Sequence, residues 1–227
     1  MKQVVFIGDY DKTDFLFYVC KLLGMNHTVL LADMTGSGRY RYAYPKLDID
    51  QNVQQYDNFD VTESLDKVAE LEGRVDLSSY DYVIIDADNP ARVGEVVASD
   101  TFYLVTTYEN PVMQGNQLLL ESLVQSLPEE RRPLPMTKVI CESNGTFTED
   151  YLVQLYDHLP IYWEESLIYL LEEGNISRKI HNQFSNTLQL KKLSSEYKNV
   201  IKSVVESILE LDSGQINALW KKAERSK

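Results

Sequence analysis

The opening of the chain constrains the fold most, because a strand, a tight loop and a helix follow one another there without a break. Residues 3–8 form an apolar run that predicts a buried strand, and residues 13–24 form a second apolar run with helical periodicity. The loop between them ends in Lys12, and Thr13 begins the helix. This order brings backbone N–H groups and the positive end of a helix to one point, which is a typical arrangement for binding phosphate.

The loop departs from the phosphate-binding pattern at its glycines. In the pattern Gly-x-x-x-x-Gly-Lys-Ser/Thr, Lys12 and Thr13 take the last two positions, but the glycine positions hold Phe6 and Asp11. Glycines let the backbone approach a phosphate closely, and Asp11 also adds a negative charge. A carboxylate about 5 Å from a phosphate charge, at an effective dielectric constant near 20, costs about 3 kcal/mol, or over a hundredfold in affinity. The sequence therefore predicts the architecture of a phosphate loop with weakened phosphate binding, which Mg²⁺ can partly restore.

Further apolar strands alternate with helical segments along the chain. The strands are predicted at residues 28–33, 82–86, 102–107, 138–141 and 159–162, and the helices at residues 63–72, 111–127 and 148–158. Continuous apolar strands separated by helices predict a parallel sheet that is covered on both faces. The carboxyl ends of such strands share one edge of the sheet, where ligands bind. Gly8, Asp33 and Asp86 are expected at that edge.

The pattern becomes helical after residue 175. Apolar residues three or four apart between Leu190 and Leu211 predict a long amphipathic helix, and Gly214 separates it from a final segment. We therefore predict a domain of residues 1–175 and a C-terminal helical extension of residues 176–227 that packs on the domain or projects from it.

Charge and cysteine content narrow the function classes. The formal net charge of −13 argues against general nucleic-acid binding, which needs a basic surface. Residues 176–227 carry +5 and residues 1–175 carry −18, so an acidic body ends in a mildly basic segment. Two cysteines in predicted apolar elements, and no apolar run near the ~20 residues of a membrane span, favour the cytoplasm. Because a strand is predicted from Gln3, we also expect no signal peptide before it.

Taken together, these segments resemble the ParA/MinD family of deviant Walker A P-loop ATPases over about residues 2–170. Besides the opening, the matching pieces are Val29–Asp33 (VLLAD), Tyr80–Asp86 (YDYVIID) and Ser99–Thr107 (SDTFYLVTT). The four pieces occur in the family's order and at sensible spacings. The resemblance implies a three-layer α/β fold of the P-loop NTPase type (an AAA-type nucleotide-binding domain), with a mostly parallel central sheet and C-terminal helices.

The resemblance also implies a nucleotide site. Its residues would be Gly8, Asp9, Tyr10, Asp11, Lys12 and Thr13. Lys12 would contact the phosphates, Thr13 and Asp86 would hold Mg²⁺, and an active enzyme would use Asp33 and Asp86 as catalytic residues. In the family's loop, Lys-Gly-Gly-x-Gly-Lys-Thr, the first lysine corresponds to Ile7, and Asp9 and Asp11 replace two glycines. The cofactor is accordingly ATP with Mg²⁺ or none, and Lys12, Thr13 and the two strand-end aspartates can equally be structural.

An aromatic and basic tract follows the second predicted strand. It contains Arg39, Tyr40, Arg41, Tyr42 and Tyr44. Tyrosine and arginine are enriched in protein interfaces, so the tract is a candidate surface for self-association or for a related ATPase. The alternative is an ordinary edge strand or an ordered loop.

The final segment has one apolar helical face. Ile216, Leu219 and Trp220 lie on it, and lysines and an arginine flank it. The segment is similar to the carboxyl-terminal membrane helix of the MinD branch but is shorter and less apolar, which allows a weak membrane-surface contact. The alternative is that Leu219 and Trp220 dock onto the protein's own core.

These observations predict a cytoplasmic protein, with peripheral membrane contact as an option, that keeps the fold and has lost part of the nucleotide machinery. We expect a pseudo-ATPase that acts as a positioning or scaffolding factor for a pilus, secretion, conjugation or partition assembly. We expect it to form a homodimer or to pair with a related ATPase. One alternative is an active ATPase of the partition or cell-division type, and another is a ligand-free interaction module.

Overall fold

The computed structural model describes residues 1–46, 51–142 and 147–226. Nine strands in these ranges form one sheet: β1 (Lys2–Ile7), β2 (Val29–Asp33), β3 (Val53–Tyr56), β4 (Phe59–Thr62), β5 (Tyr82–Ala87), β6 (Thr101–Thr107), β7 (Leu134–Glu142), β8 (Ile161–Trp163) and β9 (Leu167–Leu170). The helices are α1 (Thr13–Leu23), α2 (Ala69–Arg74), α3 (Asn110–Ser126), α4 (Glu149–Tyr156), α5 (Glu173–Asn182), α6 (Ser195–Leu209) and α7 (Ser213–Arg225).

The sheet is parallel except at one edge. The strand order is β3-β4-β2-β5-β1-β6-β7-β8, β9 pairs with a second part of β7, and only β3 and β4 run antiparallel to each other. β1 lies between β5 and β6, and Asp33 at the end of β2 is in register with Asp86 in β5. This arrangement confirms the predicted α/β fold with a mostly parallel central sheet.

Helices cover both faces of the sheet, because successive side chains of each buried strand point to opposite sides. On one side, Phe6 of β1 stacks on Tyr103 of β6 at 4.7 Å between ring centroids, and α1, α6 and α7 complete the cluster. On the other side, Val5 and Leu104 pack with residues of α3 and α4. The molecule therefore has the three layers that the sequence predicted.

Several elements differ from the sequence-based expectations. The β3–β4 hairpin, β9 and α5 were not predicted, and α2 begins at Ala69 rather than at residue 63. The long helix expected from residue 190 begins at Ser195, because the hydroxyl of Ser194 accepts a hydrogen bond from the Tyr197 N–H and caps it.

The C-terminal segment docks onto the protein's own core, which was the alternative interpretation of its sequence, and the weak membrane contact stays a prediction. Ile216, Leu219 and Trp220 of α7 are buried in the cluster that α1 and α6 form. The basic side chain of Lys222 also donates a hydrogen bond to the carbonyl of Met25, at the end of α1. The apolar face that a bilayer would need is therefore already covered. Within the described ranges, none of the helices has the length and apolar character needed to cross a membrane.

Candidate functional site

The loop between β1 and α1 lies at the carboxyl edge of the central strand, and packing requires its first residue to be glycine. Gly8 has φ of +150°, a conformation that side chains disfavour. A Cβ at this position would lie 2.1 Å from the carbonyl oxygen of Val105 in β6. Gly8 therefore allows the loop to cross directly over the neighbouring strand.

Asn116 of α3 holds the next residue of the loop. The Asp9 N–H donates to Asn116 Oδ1 at 2.7 Å, and the amide group of Asn116 donates to Thr106 Oγ1 at 2.9 Å. Gly115, which precedes Asn116, allows this close approach, because a Cβ there would lie 2.3 Å from Asp9 Oδ2. The loop is thus fixed to α3 and β6 through one buried amide.

The Lys12 side chain points into the protein. It is 2% exposed, its ammonium group donates to the Gly8 carbonyl oxygen at 2.5 Å, and it lies 2.9 Å from Asp86 Oδ1. The other carboxylate oxygen of Asp86 accepts a hydrogen bond from the Tyr40 hydroxyl at 2.7 Å. Burial raises the pKa of Asp86 to about 6, although Lys12 and Tyr40 oppose this shift. The charge of Lys12 is thereby paired within the chain.

The Thr13 hydroxyl is also engaged by the loop itself. Asp11 Oδ1 accepts hydrogen bonds from the Thr13 N–H at 3.1 Å and from Thr13 Oγ1 at 2.8 Å. Asp11 Oδ2 accepts one from Lys179 of α5 at 2.7 Å and lies 3.1 Å from the Arg39 guanidinium. Burial by itself raises the pKa of Asp11, but Lys179 and Thr13 outweigh it and hold this pKa well below its usual range.

Lys179 joins two carboxylates of the N-terminal region. Besides Asp11, it lies 3.3 Å from Asp14 Oδ1 in the first turn of α1, and Asp14 Oδ2 accepts a hydrogen bond from the Tyr197 hydroxyl at 3.0 Å. Burial raises the pKa of Asp14 despite the neighbouring Lys179. Chain segments more than 160 residues apart therefore meet at the start of α1.

Asp33 shapes the turn that follows β2. Its Oδ1 accepts hydrogen bonds from the Thr35 N–H at 2.9 Å and the Thr35 hydroxyl at 2.6 Å, and its Oδ2 accepts one from the Ser64 N–H at 3.3 Å. Burial raises the pKa of the Asp33 carboxyl against these hydrogen bonds. The side chain has a clear structural role, and its proposed catalytic role stays a prediction.

Two tyrosines of the predicted interface tract, Tyr40 and Tyr44, are buried in this structure, and the tract's role as an interface stays a prediction. Arg39–Tyr42 form a turn of 3₁₀ helix rather than a strand. Tyr40 bonds Asp86, and the Tyr44 hydroxyl donates to Glu63 Oε1 at 2.6 Å, so each phenol enters the core with a carboxylate partner. Tyr42 is 78% exposed, and Arg39 and Arg41 are also exposed. The surface of the tract is therefore reduced to these three side chains.

No protein-family model matches this chain, and no curated protein matches it at a significant level. Solved structures do. A plasmid partition protein of Borrelia burgdorferi bound to AMPPNP has a TM-score of 0.59 at 16% identity, over 92% of this chain and 99% of that one. A ParA family ATPase of Chlorobium tepidum has a TM-score of 0.56 at 16% identity, over 88% of this chain and 96% of that one. The MinC:MinD cell division complex of Aquifex aeolicus has a TM-score of 0.57 at 14% identity, over 93% of this chain and 97% of that one. The chain has the ParA/MinD fold.

The ParA/MinD fold implies ATP and Mg²⁺ at this loop, but the side chains in this arrangement do not fit them. Lys12 is buried against Asp86, the Thr13 hydroxyl donates to Asp11, and the Asp11 carboxylate lies at the start of α1. A phosphate there would meet a carboxylate instead of free donors. Within the described ranges, no group of three or more His, Cys, Asp or Glu side chains is placed to hold a metal ion.

Sequence reasoning on the ParA/MinD resemblance missed Lys179, Asn116 and Tyr197, all of which contact the loop or the first turn of α1. None of them lies in a family motif. Lys179 belongs to α5, whose polar and apolar faces are reversed relative to an ordinary surface helix. Asn175 and Asn182 of α5 are buried, whereas Ile176 and Ile180 are exposed.

Proposed function

We propose that this chain is a cytoplasmic positioning or scaffolding protein with the ParA/MinD fold, and that it works with little or no ATP hydrolysis. Its solved neighbours include proteins of plasmid partition and cell division, which supports a partition or positioning role. The assembly that it positions would be of the pilus, secretion, conjugation or partition type.

One observation carries the proposal: the chain's own carboxylates engage both groups that would contact phosphate and Mg²⁺. Lys12 lies 2.9 Å from Asp86 and the Thr13 hydroxyl lies 2.8 Å from Asp11. A hydrolytic step needs donors that are free to stabilise phosphate charge. Breaking the buried Lys12–Asp86 pair to free Lys12 would leave an unpaired buried charge, at a cost of about 3–5 kcal/mol.

The proposed partners are a second copy of this chain or a related ATPase, together with a protein of the assembly. The MinD neighbour is recorded in complex with MinC, which supports a protein partner. The exposed side chains of Arg39, Arg41 and Tyr42 stand beside the loop edge and are the candidate contacts. A membrane contact through α7 is not part of the proposal, because its apolar face is buried.

The second candidate function is an active ATPase of the partition or cell-division type. A specific observation favours it: Gly8, Lys12 and Thr13 match a glycine, the second lysine and the threonine of the family's loop, Lys-Gly-Gly-x-Gly-Lys-Thr, and Thr13 begins an eleven-residue helix. The Borrelia burgdorferi neighbour was solved with AMPPNP bound. In this case nucleotide would have to rearrange the side chains of Asp11 and Lys12.

The decisive experiment measures steady-state ATP hydrolysis with Mg²⁺ in the wild type and in Thr13→Ala, and sedimentation of the wild type with and without ATP. We expect the same negligible turnover in both proteins, and an assembly state that does not depend on nucleotide. Ordinary turnover that Thr13→Ala abolishes, or assembly that appears only with ATP, would establish the second candidate instead.

A further inference from the structure

The carboxylate of Asp11 lies where a phosphate-binding loop holds its anion. Donors from three parts of the chain surround it: the N–H and hydroxyl of Thr13, the ammonium group of Lys179 and the guanidinium group of Arg39. We infer that Asp11 is an internal anion that replaces phosphate at the start of α1, and that Lys179 and Arg39 lock the loop closed without nucleotide. The inference deepens the proposed function and rests on it, because it names what occupies the loop.

The charges around Asp11 are those of an anion site. Backbone N–H groups and a helix start favour a negative charge, and the cations Lys179 and Arg39 both contact the Asp11 carboxylate. Lys179 is also held by Asp14, at 3.3 Å, so its ammonium group stays near α1 when Asp11 is removed. Removing Asp11 would therefore leave both cations at the start of α1, with the Asp14 carboxylate beside Lys179.

The same contact attaches α5 to the loop. The inward face of α5 is polar: Asn175 bonds Ser194, and the Asn182 amide donates to the Tyr18 hydroxyl at 3.1 Å. Because Ile176 and Ile180 of α5 point outward, little apolar burial holds this helix in place. The ion pair between Lys179 and Asp11 is thus a large share of what fixes α5 to the start of α1.

Two consequences follow from this geometry. An anion that enters the loop must displace the Asp11 carboxylate from Thr13, Arg39 and Lys179, so Asp11 acts as an autoinhibitory contact. The displacement also removes one of the two carboxylates that hold Lys179. Loop occupancy and the attachment of α5 are therefore coupled.

The first test is a titration of the full chain with fluorescent ATP, without Mg²⁺ and with inorganic phosphate as competitor. We expect Asp11→Gly to bind at least about tenfold more tightly than the wild type, the change that corresponds to about 1.4 kcal/mol. Adding Lys179→Gln to Asp11→Gly should remove most of this gain, because the cation would then be missing. The control is Glu172→Gln, which removes an exposed carboxylate from the N-terminus of α5 and should leave the affinity at the wild-type value. Equal affinities of Asp11→Gly and the wild type would overturn the inference.

The second test measures hydrogen exchange of the α5 amides in the wild type, in Asp11→Asn and in Glu172→Gln. We expect faster exchange in Asp11→Asn alone, with the amides of α6 unchanged. Unchanged α5 exchange in Asp11→Asn would remove the proposed link between the loop and α5. The two proposals fail separately: ordinary ATP turnover by the wild type would end the pseudo-ATPase function, whereas the internal anion is rejected only by the Asp11 variants.

Discussion

The turn at residues 39–44 and helix α5 each supply a cation to Asp11 Oδ2, yet each contradicts what its composition suggests about exposure. The turn is rich in tyrosine, and Tyr40 and Tyr44 are buried because their hydroxyls meet Asp86 and Glu63. Helix α5 carries Ile176 and Ile180 on its exposed side and its asparagines and Lys179 inside. A polar side chain enters the core where a buried partner satisfies it, and an apolar one stays outside where polar contacts take the inner face.

The largest effect is expected at the buried side of the turn. Tyr40→Ala should lower the free energy of unfolding by about 3–5 kcal/mol, because it creates a cavity and removes a partner of Asp86. Tyr40→Phe, which loses only the hydrogen bond, should cost about 1–3 kcal/mol. Urea unfolding measures both, with exposed Tyr42→Ala as the matched control at about 0.5 kcal/mol or less. Equal losses for Tyr40→Ala and Tyr42→Ala would place the tyrosines on the surface after all.

The next effect compares the two cations on Asp11. Lys179→Gln should cost about 1–3 kcal/mol, since the Asp14 side chain is only 18% exposed and would lose its only ion-pair partner among the described residues. Arg39→Gln should cost about 1 kcal/mol or less, because the Arg39 side chain is 56% exposed and solvent screens its interaction. Thermal unfolding at one pH compares the stabilities of the two variants. A larger loss for Arg39→Gln would contradict the expectation that Lys179 of α5 contributes more to stability than Arg39.

A smaller effect concerns pH. The pKa of Asp11 is lower in the folded protein than its ordinary value near 3.9, so its charged form stabilises the fold above about pH 4, and protonation removes this contribution at lower pH. Wild type should exceed Asp11→Asn by about 1–2 kcal/mol at pH 7, and the difference should shrink as the pH falls below about 4. Lys179, Arg39 and Asp14 surround position 11 in both proteins, so the difference between their stabilities isolates the Asp11 carboxylate. A constant difference between pH 7 and pH 3 would contradict the assignment.

The smallest effect is expected on the exposed side of α5. Replacing Ile176 or Ile180 of α5, or Phe184 just after its end, by serine should change the free energy of unfolding by about 0.5 kcal/mol or less at each site, because these side chains are exposed, Phe184 by 83%. Urea unfolding of the single variants checks this. A loss at Ile180 that matches the loss of Tyr40→Phe would show that α5 buries its apolar face in solution.

Local patterns were sufficient to predict the parts of the fold that depend on burial along one segment. The runs of β1, β2, β5 and β6 are continuously apolar because both faces of each strand are covered, and their ends place Asp33 and Asp86 at one edge. β3 was missed because Gln54 and Gln55 interrupt any apolar pattern at the edge of the sheet. α5 was missed because its amphipathic pattern is short and its inner face is polar.

For the site itself, the sequence predicted only the contacts between residues that lie close together in the chain. Lys12, Thr13 and Asp11 are neighbours in the sequence, so their proximity followed from it, whereas the weakened phosphate binding stays a prediction. The partners that decide the chemistry, Tyr40 for Asp86 and Lys179 for Asp11, come from distant segments. Sequence periodicity carries no information on such tertiary contacts, which is why Tyr40 was assigned to the surface.

The strand order has a consequence for how the protein is made. β1 leaves the ribosome well before its two neighbours in the sheet, which are β5, from residue 82, and β6, from residue 101. Until residue 87 has been synthesised, β1 has no partner on either side, and its second partner is complete only at residue 107. Pairing over such separations is slow. The nascent chain must therefore keep this apolar segment out of contact with other chains until the middle of the sequence has emerged.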